Sequence, residues 1–516
     1  MAKKYPIGIQ DFAELRTKGY YYVDKTAMVY DIVTGGKYYF LSRPRRFGKS
    51  LLTSTLKAYF LGRRDLFEGL AIAQLEKDWE EYPVINIDFT GCYFDSYEVL
   101  EERLDILFRE LESKYGKADA KDPALRLGQI IRLAYEKTGK QVVLLIDEYD
   151  KPLIDNIVNP ELRERMRDLL SGVYSNLKAM DSYLHFGFLT GVSRFSHLNI
   201  FSAVNNLKDI SFEEKYAGLC GITEAELDRN FEEDVQVMAD KNGLSFADTR
   251  QRLREWYDGY RFSPYNDLGV YNPFSLLNAL QDGRFTSKWA ESGTPTFLVR
   301  LVRESTLDLQ GIDHLEADMD MLAYYDPVVQ HPVALMFQTG YITITGYDAE
   351  YGIIELGFPN REVKDAFLKF IVPIYQSRHE GSIVVLKMRR DLDEGNLESF
   401  MTRLKAFFAS VSYETVKRDY ERHYQNLLYT VLYFAGCDVH NEFHTANGRI
   451  DCVVKTKTTI YVFEYKIDGN GTADDALRQI NEKGYATPFL ADGRPVVKIG
   501  VAFSRDTHTI DSWVKE

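Results

Sequence analysis

Cysteine is scarce in this sequence, and its placement excludes the usual cysteine-based sites. The cysteines among the 516 residues are Cys92, Cys220, Cys437 and Cys452, and no two of them form a CxxC pair. Such scattered cysteines are typical of reduced thiols in a cytosolic protein and argue against a structural zinc site or a disulfide framework. We therefore predict a cytoplasmic location.

Long hydrophobic runs and a positive net charge are also lacking. No apolar run approaches the roughly 20 residues of a membrane-spanning helix, and the N-terminus lacks the apolar segment of a signal peptide. The sequence thus predicts no contact with a membrane. The formal net charge of −14 argues against a broad nonspecific coating of nucleic acid, although it does not exclude a local basic groove.

Apolar and aromatic residues, in contrast, are plentiful. Hydrophobic residues make up 45% of the chain and aromatic residues 14%, which is enough for well-packed cores and far from the composition of a disordered chain. A chain of this length is expected to form several domains, about three.

The segment Tyr38–Leu61 has the order strand, loop and helix. Tyr38–Leu41 is an apolar run typical of a buried strand, Gly48-Lys49-Ser50 follows a tight loop, and apolar residues then recur at helical spacing. This order is typical of a phosphate-binding P-loop, in which main-chain N–H groups and a helix N-terminus hold anionic oxygens. We expect Lys49 to reach the β- and γ-phosphates of ATP and the Ser50 hydroxyl to hold Mg²⁺.

The loop departs from the usual pattern, because Arg43 stands where a glycine is expected five residues before Gly48. Pro44 fixes its own φ and restricts Arg43 to extended geometry. Arg43, Arg45 and Arg46 bring three cations to the loop, and we predict that they contact phosphate. We assign nucleotide binding to the rest of the loop as well, namely to Phe47, Gly48, Lys49, Ser50 and Leu51. The alternative is a basic turn that only caps a helix.

A second buried strand ends in two acids. Val142–Ile146 is wholly apolar and is followed by Asp147 and Glu148, which is a Walker B pattern. We predict that Asp147 holds the Mg²⁺ ion of the nucleotide and that Glu148 is catalytic, since it can orient and polarise the attacking water. The alternative is a buried strand that merely ends in acids at its solvent edge, and the P-loop upstream argues against it.

A further strand, His185–Leu189, is followed by a polar segment. Thr190 and Arg194 are candidate sensors of the γ-phosphate, and the alternative is a glycine-containing turn with a surface arginine. With a strand between the two Walker motifs, these elements predict an α/β fold for residues 1–210. We expect a doubly wound parallel sheet with ATP at the carboxyl ends of its strands.

The middle of the chain has weaker signals. We interpret 211–310 as a helical lid, 311–380 as a winged-helix-like module built from a helix, a hairpin and a helix, and 381–395 as a charged linker. The aromatic segment Trp256–Phe262 can stack nucleic-acid bases, but core packing with one stacked arginine is the interpretation we favour.

The last domain, 396–516, combines two helices, a hairpin predicted by Asn447-Gly448, and a later helix and strand. Period-two alternation places Glu464 and Lys466 on one face of a strand, and Asp451 lies on the neighbouring strand. The two carboxylates and the Tyr465 carbonyl suit Mg²⁺.

The other candidate catalytic residues of this domain surround those acids. Lys466 can orient water or steady a phosphate, Glu421 can reach the metal from a helix, and Gln479 can hydrogen-bond water or phosphate. We therefore predict metal-dependent hydrolysis of a phosphodiester. Salt bridging across the strands of a solvated sheet is the alternative.

Together these segments resemble a bacterial family with an AAA-ATPase-like N-terminal domain and a C-terminal PD-(D/E)XK nuclease domain. The segments that carry the resemblance are Leu41–Ser50, Leu145–Asp150, Thr190–Phe195, Gly448–Asp451 and Phe463–Lys466. The resemblance covers nearly the full length and implies that arginine in place of the P-loop glycine is usual in the family. It also implies defence or mobile-element biology.

The combined prediction is an ATP-regulated, Mg²⁺-dependent DNA nuclease. We expect ATP and DNA as partners, and ATP-promoted association into a homo-oligomer, because no in-cis arginine finger is evident beyond Arg194. The rival is a nucleotide-dependent switch or scaffold whose nuclease-like domain only binds nucleic acid or protein. The intact set of Asp451, Glu464 and Lys466 argues against the rival, whereas the acidic net charge argues for it.

Overall fold

The computed structural model describes part of the chain, with gaps. The described residues are 4–157, 159–194, 207–289, 312, 314–323, 332–375, 381–409, 427–433, 435–445, 447–467, 469–504, 506–507 and 509–516. They divide into two compact units, Met1–Ser292 with His314–Glu362 and Gly293–Asp313 with Val363–Glu516. Within these ranges, no helix is both long enough and apolar enough to cross a bilayer.

The first unit is built on a parallel five-stranded sheet. Its strand order is β2-β3-β4-β1-β5, so β4 lies between the strand that enters the P-loop and the strand that carries the Walker B acids. Parallel strands of this kind are buried on both faces and therefore read as continuous apolar runs, as β1 and β3 do. The strands are β1 (Tyr38–Ser42), β2 (Val84–Asp88), β3 (Val142–Asp147), β4 (Leu184–Gly191) and β5 (Leu207–Asp209).

The helices that connect these strands are amphipathic or short. Several have side-chain N-caps; Asp122 for example accepts the Leu125 N–H at 3.0 Å, which fixes where that helix begins. The helices are α1 (Phe12–Thr17), α2 (Thr26–Gly35), α3 (Lys49–Phe60), α4 (Ile72–Leu75), α5 (Tyr97–Tyr115), α6 (Pro123–Thr138), α7 (Lys151–Asp155) and α8 (Pro160–Ser175), with 3₁₀ segments at Arg64–Phe67, Asn176–Tyr183 and Glu214–Tyr216.

Helices dominate the segment that follows, and a small antiparallel sheet completes the unit. The elements are α9 (Glu224–Asn242), α10 (Phe246–Tyr257), α11 (Pro273–Asp282), β6 (Leu315–Ala317), α12 (Met319–Ala323), α13 (Pro332–Gln338), β7 (Thr343–Asp348) and β8 (Ile353–Gly357), with sheet order β6-β8-β7. The winged-helix interpretation of 311–380 and the lid interpretation of 211–310 stay predictions, since parts of both lie outside the described residues.

The aromatic segment Trp256–Phe262 packs in the core. Tyr257 and Tyr260 are almost fully buried, and the Arg361 guanidinium lies 4.7 Å from the centre of the Trp256 ring. The interpretation as core packing is confirmed, but the stacked arginines come from outside the segment, since Arg361 lies over Trp256 and Arg43 over Phe262, whereas Arg261 pairs with Asp267.

The segment 381–395 is not a linker, so that prediction is wrong. It forms a helix, α15 (Gly381–Asp393), which follows α14 (Arg361–Tyr375) and packs against α16 (Leu397–Ala409). Val385, Met388 and Leu392 are fully buried at spacings of three and four residues. Lys387 and Arg390 are exposed and Asp391 is buried in an ion pair with Arg403 of α16, and these charges conceal the apolar stripe when the sequence is read as a charge run.

The second unit carries a mixed five-stranded sheet of order β13-β12-β11-β10-β9. The pair β11–β12 is parallel and the other neighbours are antiparallel. The elements are β9 (Asp438–Thr445), β10 (Gly448–Lys455), β11 (Ile460–Ile467), α17 (Ala473–Glu482), a 3₁₀ segment (Thr487–Phe489), β12 (Val496–Ser504) and β13 (Thr509–Lys515). The sequence predicted this order without β13, whose alternation is too weak to read. The second of the two helices predicted before the hairpin, Tyr413–Phe434, lies mostly outside the described residues. Its described part, 427–433, is helical.

Candidate functional sites

The phosphate loop joins β1 to α3. Gly48 is the residue before α3 and has φ of 90°, a left-handed conformation that favours glycine, while Arg46 adopts φ of 70°. The buried Lys49 ammonium donates to the carbonyl oxygens of Arg43 at 2.9 Å and Pro44 at 3.1 Å. The lysine therefore spans the base of the loop from the first turn of the helix.

The Walker B acid lies directly beside the start of α3. Asp147 is buried at the end of β3, and Ser50 hydrogen-bonds its carboxylate. Burial raises the pKa of Asp147 to about 6. The charges of Asp88 and Glu148 also raise it, whereas the Ser50 hydroxyl and the Lys49 charge lower it. A hydroxyl and a carboxylate side by side, close to a second acid, are the donor set that Mg²⁺ takes in nucleotide sites.

A cleft of about 400 Å³ opens beside the loop. This volume is in the range of small-molecule binding sites. Its walls include most of the nucleotide-binding residues predicted from the sequence, namely Arg45, Arg46, Gly48, Lys49, Ser50, Leu51 and Glu148. The rest of the lining comes from segments that sequence reasoning did not assign, namely Pro6–Gln10, Thr90, Lys151, Pro273, Phe274 and Leu277.

The two arginines of the cleft have different surroundings. The Arg46 guanidinium lies 4.6 Å from the centre of the Phe274 ring, at the start of α11. Arg45 is half-buried and lines the cleft near Lys49. Both side chains stand where they can contact an anion.

Arg43 does not face the cleft, and the prediction that it contacts phosphate is wrong. Its main-chain N–H donates to the Gly191 carbonyl at 3.2 Å and so continues the parallel pairing of β1. The side chain therefore points into the core, where its guanidinium donates to the carbonyls of Ser211 at 2.7 Å and Tyr216 at 3.1 Å and lies over the Phe262 ring. Arg43 thus stabilises the loop from inside.

Phe47 also turns away from the cleft. It is buried, with ring centroids 4.8 Å from Tyr260 and 5.2 Å from Phe262 in edge-on contacts. Its side chain anchors the loop in the core, and the assignment of Phe47 to nucleotide binding, which concerns the main chain of the loop, stays a prediction.

The two candidate sensors lie outside the lining of the cleft. Thr190 pairs with Leu41 in the middle of the sheet, and its hydroxyl donates to the Leu41 carbonyl at 2.9 Å. The Arg194 guanidinium forms an ion pair of 2.5 Å with Asp209. The prediction that these side chains face the γ-phosphate is wrong, because the Thr190 hydroxyl is hydrogen-bonded inside the sheet and the Arg194 guanidinium is paired with Asp209 on its edge strand.

Asp88 is an acid beside Asp147 that the sequence analysis missed. It ends β2 in register with Asp147 on β3, and its carboxylate accepts the Thr90 N–H at 2.7 Å. The buried-strand pattern Val84–Phe89 was visible, and an acid at the carboxyl end of a strand next to the Walker B strand was the signal that could have found it.

The second site lies on the hairpin of β10 and β11. Cys452 is the register partner of Phe463, so the neighbouring Asp451 and Glu464 come together, and the Tyr465 N–H donates to Asp451 Oδ2 at 2.8 Å. Glu464 and Lys466 share a face as predicted, with 3.7 Å between the ammonium and Glu464 Oε1. The structure brings both acids and the lysine into one site.

Gln479 on α17 joins the lysine to the glutamate. Its amide oxygen accepts from Lys466 Nζ at 2.6 Å, and its amide nitrogen donates to Glu464 Oε1. A methyl group at Gly500 on β12 would overlap the Ala473 carbonyl, so this glycine allows α17 to approach the sheet closely.

Glu464 is the group in this site whose surroundings best suit a bound cation. It is 3% exposed, and its Oε2 atom has no hydrogen-bond partner among the described residues. Burial and the adjacent Asp451 charge raise its pKa well above the ordinary range of a carboxyl. A divalent cation would satisfy both conditions, since it offers ligation to the orphaned oxygen and cancels the repulsion.

The site has two acids where a third was expected. Within the part of the chain that the structure describes, no group of three or more histidine, cysteine or acidic side chains could hold a metal. Glu421, the predicted third acid, lies outside the described residues, and the role of the Tyr465 carbonyl as a ligand stays a prediction.

Comparison with known proteins agrees with both halves of this description. Residues 6–201 match a family model described as a predicted AAA-ATPase, and residues 419–513 match a model of the PD-(D/E)XK nuclease superfamily. A protein of Azotobacter chroococcum mcd 1, described as an uncharacterized protein in the vnfD 5′ region, is 37% identical over 532 residues. The match covers 100% of this chain and 99% of the relative.

Proposed function

We propose that this chain, which belongs to the bacterial family that joins an AAA-ATPase-like domain to a C-terminal PD-(D/E)XK nuclease domain, is an ATP-regulated, Mg²⁺-dependent DNA nuclease. The observation that carries the nuclease half is Glu464, whose buried Oε2 atom has no hydrogen-bond partner among the described residues. Its neighbours are the Asp451 carboxylate and the Lys466 ammonium.

In the first unit, the residues of the cleft divide the work of ATP hydrolysis. Lys49 and Arg45 neutralise the phosphates, and Ser50 and Asp147 hold Mg²⁺. The ion shields the negative charge of the phosphate oxygens. Glu148 orients a water molecule toward the γ-phosphorus and takes its proton as the bond to the β–γ bridging oxygen breaks.

In the second unit, Asp451 and Glu464 hold the metal. Mg²⁺ held there would supply Lewis acidity and make a water molecule a better nucleophile. The Lys466 ammonium steadies the scissile phosphate, and Gln479 fixes the lysine and Glu464 relative to each other. Water adds to phosphorus, one P–O ester bond breaks, and the proton from water goes to solvent or to the leaving oxygen.

The coupling between the two activities is also part of the proposal. ATP binding and hydrolysis change access of DNA to the carboxylate site, and ATP promotes association of chains. The proposal places the protein in the cytoplasm and assigns it to defence or mobile-element biology, as the family resemblance implies.

A scaffold function is the second candidate, and one observation favours it. The formal net charge is −14, so the protein as a whole repels a polyanion such as DNA. A scaffold would bind ATP and would bind nucleic acid or protein without cleaving DNA.

The test is a plasmid-cleavage assay with purified protein and Mg²⁺, with and without ATP, beside Asp451→Ala. Asp492→Ala is the matched control, because Asp492 is an acid of the same unit whose ion pair with Arg494 lies outside the site. We expect the wild type and the control to cleave and Asp451→Ala to be inactive. Cleavage that survives Asp451→Ala would refute the site, and a wild type without cleavage would favour the scaffold.

A further inference from the structure

One buried carboxylate beside the cleft has no part in the proposed chemistry. Asp150 follows the Walker B acids by a few residues and is 1% exposed. Its carboxylate accepts the main-chain N–H of Val192 at 3.0 Å and that of Ser193 at 2.5 Å. Burying a carboxylate is costly, and two main-chain donors are the kind of partners that offset the cost.

Tyr149 connects the same two segments. Its N–H donates to the Thr190 carbonyl at 3.1 Å, and its hydroxyl donates to the Ser193 carbonyl at 2.8 Å. The two residues that follow Glu148 in sequence are therefore both hydrogen-bonded to the segment 190–193 at the end of β4.

Glu148 itself has an unusual backbone. Its φ is 49°, in the left-handed region that is unfavourable for a residue with a side chain. Its N–H donates to Asp147 Oδ1 at 3.0 Å, and its side chain lines the cleft. A conformation of this kind persists only when the surrounding structure enforces it.

We propose that Asp150 is a positioning residue for ATP hydrolysis, which holds Glu148 in its cleft-facing conformation by joining the turn after β3 to the end of β4. Gly191 is needed for this arrangement, since a methyl group there would overlap Asp150 Oδ1 and the Tyr149 ring. The inference rests on the proposed ATPase function, in which Glu148 orients the attacking water. Asp150 itself contacts neither nucleotide nor water in this role.

Steady-state ATP hydrolysis by the full chain tests the inference with Asp150→Asn, which keeps the shape but replaces one carboxyl oxygen with an amide nitrogen that cannot accept an N–H group. We expect kcat to fall about ten-fold, a part of the roughly 100- to 10,000-fold that a general base contributes. KM should change less than about two-fold, because the phosphate-binding residues stay in place. Asp24→Asn is the matched control, since Asp24 also accepts two main-chain N–H groups, from Thr26 and Ala71, away from the cleft. Its kcat should equal that of the wild type.

Combining Asp150→Asn with Glu148→Gln distinguishes an effect through Glu148 from a general loss of structure. If Asp150 acts through Glu148, Asp150→Asn adds less than about two-fold to the loss in that background. Gly191→Ala should reproduce the fall in kcat from the opposite side of the contact, and it decides the matter if Asp150→Asn does not fold. A wild-type kcat in Asp150→Asn, or losses that multiply in the double variant, would overturn the inference alone. A wild type that does not hydrolyse ATP would refute the proposed ATPase and the inference together.

Discussion

The cleft of the first unit and the hairpin site of the second both place acids on neighbouring strands, but the balance of charge around them is opposite. In the cleft, Asp147 has a hydroxyl partner in Ser50 and lies near the Lys49 ammonium. In the hairpin site, burial and the Asp451 charge raise the pKa of Glu464, and its Oε2 atom lacks a hydrogen bond among the described residues. The first site offers cations to an anion, and the second offers anions to a cation.

This difference indicates how strongly the shape of each site depends on its ligand. The cleft residues already have protein partners, such as the carbonyls that Lys49 bonds, so that site keeps its shape without nucleotide. In the hairpin site, Asp451 accepts the Tyr465 N–H and Glu464 Oε1 accepts from Gln479, but Glu464 Oε2 has no hydrogen-bond partner among the described residues. We therefore expect a bound metal to stabilise this site more than nucleotide stabilises the cleft. The predictions below test this contrast and begin with the largest effect.

The largest effect is expected for Glu464→Gln, which keeps the shape of the side chain and removes its charge. Loss of a metal ligand should raise the barrier to DNA cleavage by about 4 kcal/mol, or about a thousand-fold in rate. ATP hydrolysis should stay at the wild-type rate, because the cleft lies in the other unit. Plasmid cleavage and phosphate release, measured on one preparation, check both statements. Equal loss of both activities would contradict the division of labour.

The reciprocal change is Glu148→Gln in the cleft. It should lower kcat for ATP hydrolysis about 100-fold, since the amide cannot take the proton from water. Affinity for ATP should be kept, because Lys49 and Ser50 remain. Single-turnover hydrolysis and nucleotide titration check this, with Lys49→Ala as the control that loses binding instead. Hydrolysis at the wild-type rate in Glu148→Gln would show that the catalytic base has been assigned wrongly.

The comparison also shows what a sequence can predict. The sequence predicted four of the strands, with the acids that lie on them, because apolar runs and period-two alternation are local patterns. These strands are β1, β3, β10 and β11. Asp451 and Glu464 were paired correctly because β10 and β11 follow each other along the chain with a short turn between them, whereas the Asn447-Gly448 turn joins β9 to β10.

Contacts between distant segments were not readable. The partners of Arg43 are carbonyls of Ser211 and Tyr216, far away in sequence, and no local pattern reveals them. Asp150 looked like one more acid after the Walker B pair, since the N–H groups that surround it belong to the residues that follow β4, more than 40 positions away. The helix α15 was missed because its charges conceal a stripe formed by Val385, Met388 and Leu392.

A third prediction separates a structural arginine from a binding lysine in the same loop. Arg43→Met should leave buried carbonyls unpaired and lower the free energy of unfolding of the first unit by about 2–4 kcal/mol. It should change ATP affinity much less than Lys49→Met does. Hydrogen exchange of the β1 and β4 amides, beside nucleotide titration, measures the two effects. A loss of ATP affinity equal to that in Lys49→Met would return Arg43 to the phosphate-binding set.

The smallest effect concerns the pH dependence of Mg²⁺ binding at the hairpin site. Burial and the Asp451 charge raise the pKa of Glu464 above its ordinary value of 4.5, so the folded, metal-free protein holds this proton more tightly than the unfolded chain does. The stabilisation from that proton is fully present below the ordinary pKa and is lost as the pH rises through the folded value. A metal needs the carboxylate, so binding must release the proton and become tighter with rising pH.

We expect the affinity for Mg²⁺ to rise about ten-fold between about pH 6 and about pH 8, with proton release that calorimetry in two buffers of different ionisation enthalpy would detect. Glu464→Gln should abolish the proton release and weaken binding at both pH values. Lys466→Ala should keep the metal bound but still lower DNA cleavage, because the ammonium acts on water or phosphate and is not a ligand. An affinity that does not change with pH would mean that Glu464 is already ionised without metal. In that case the contrast between the two sites would lie in their shapes and not in the charge that each lacks.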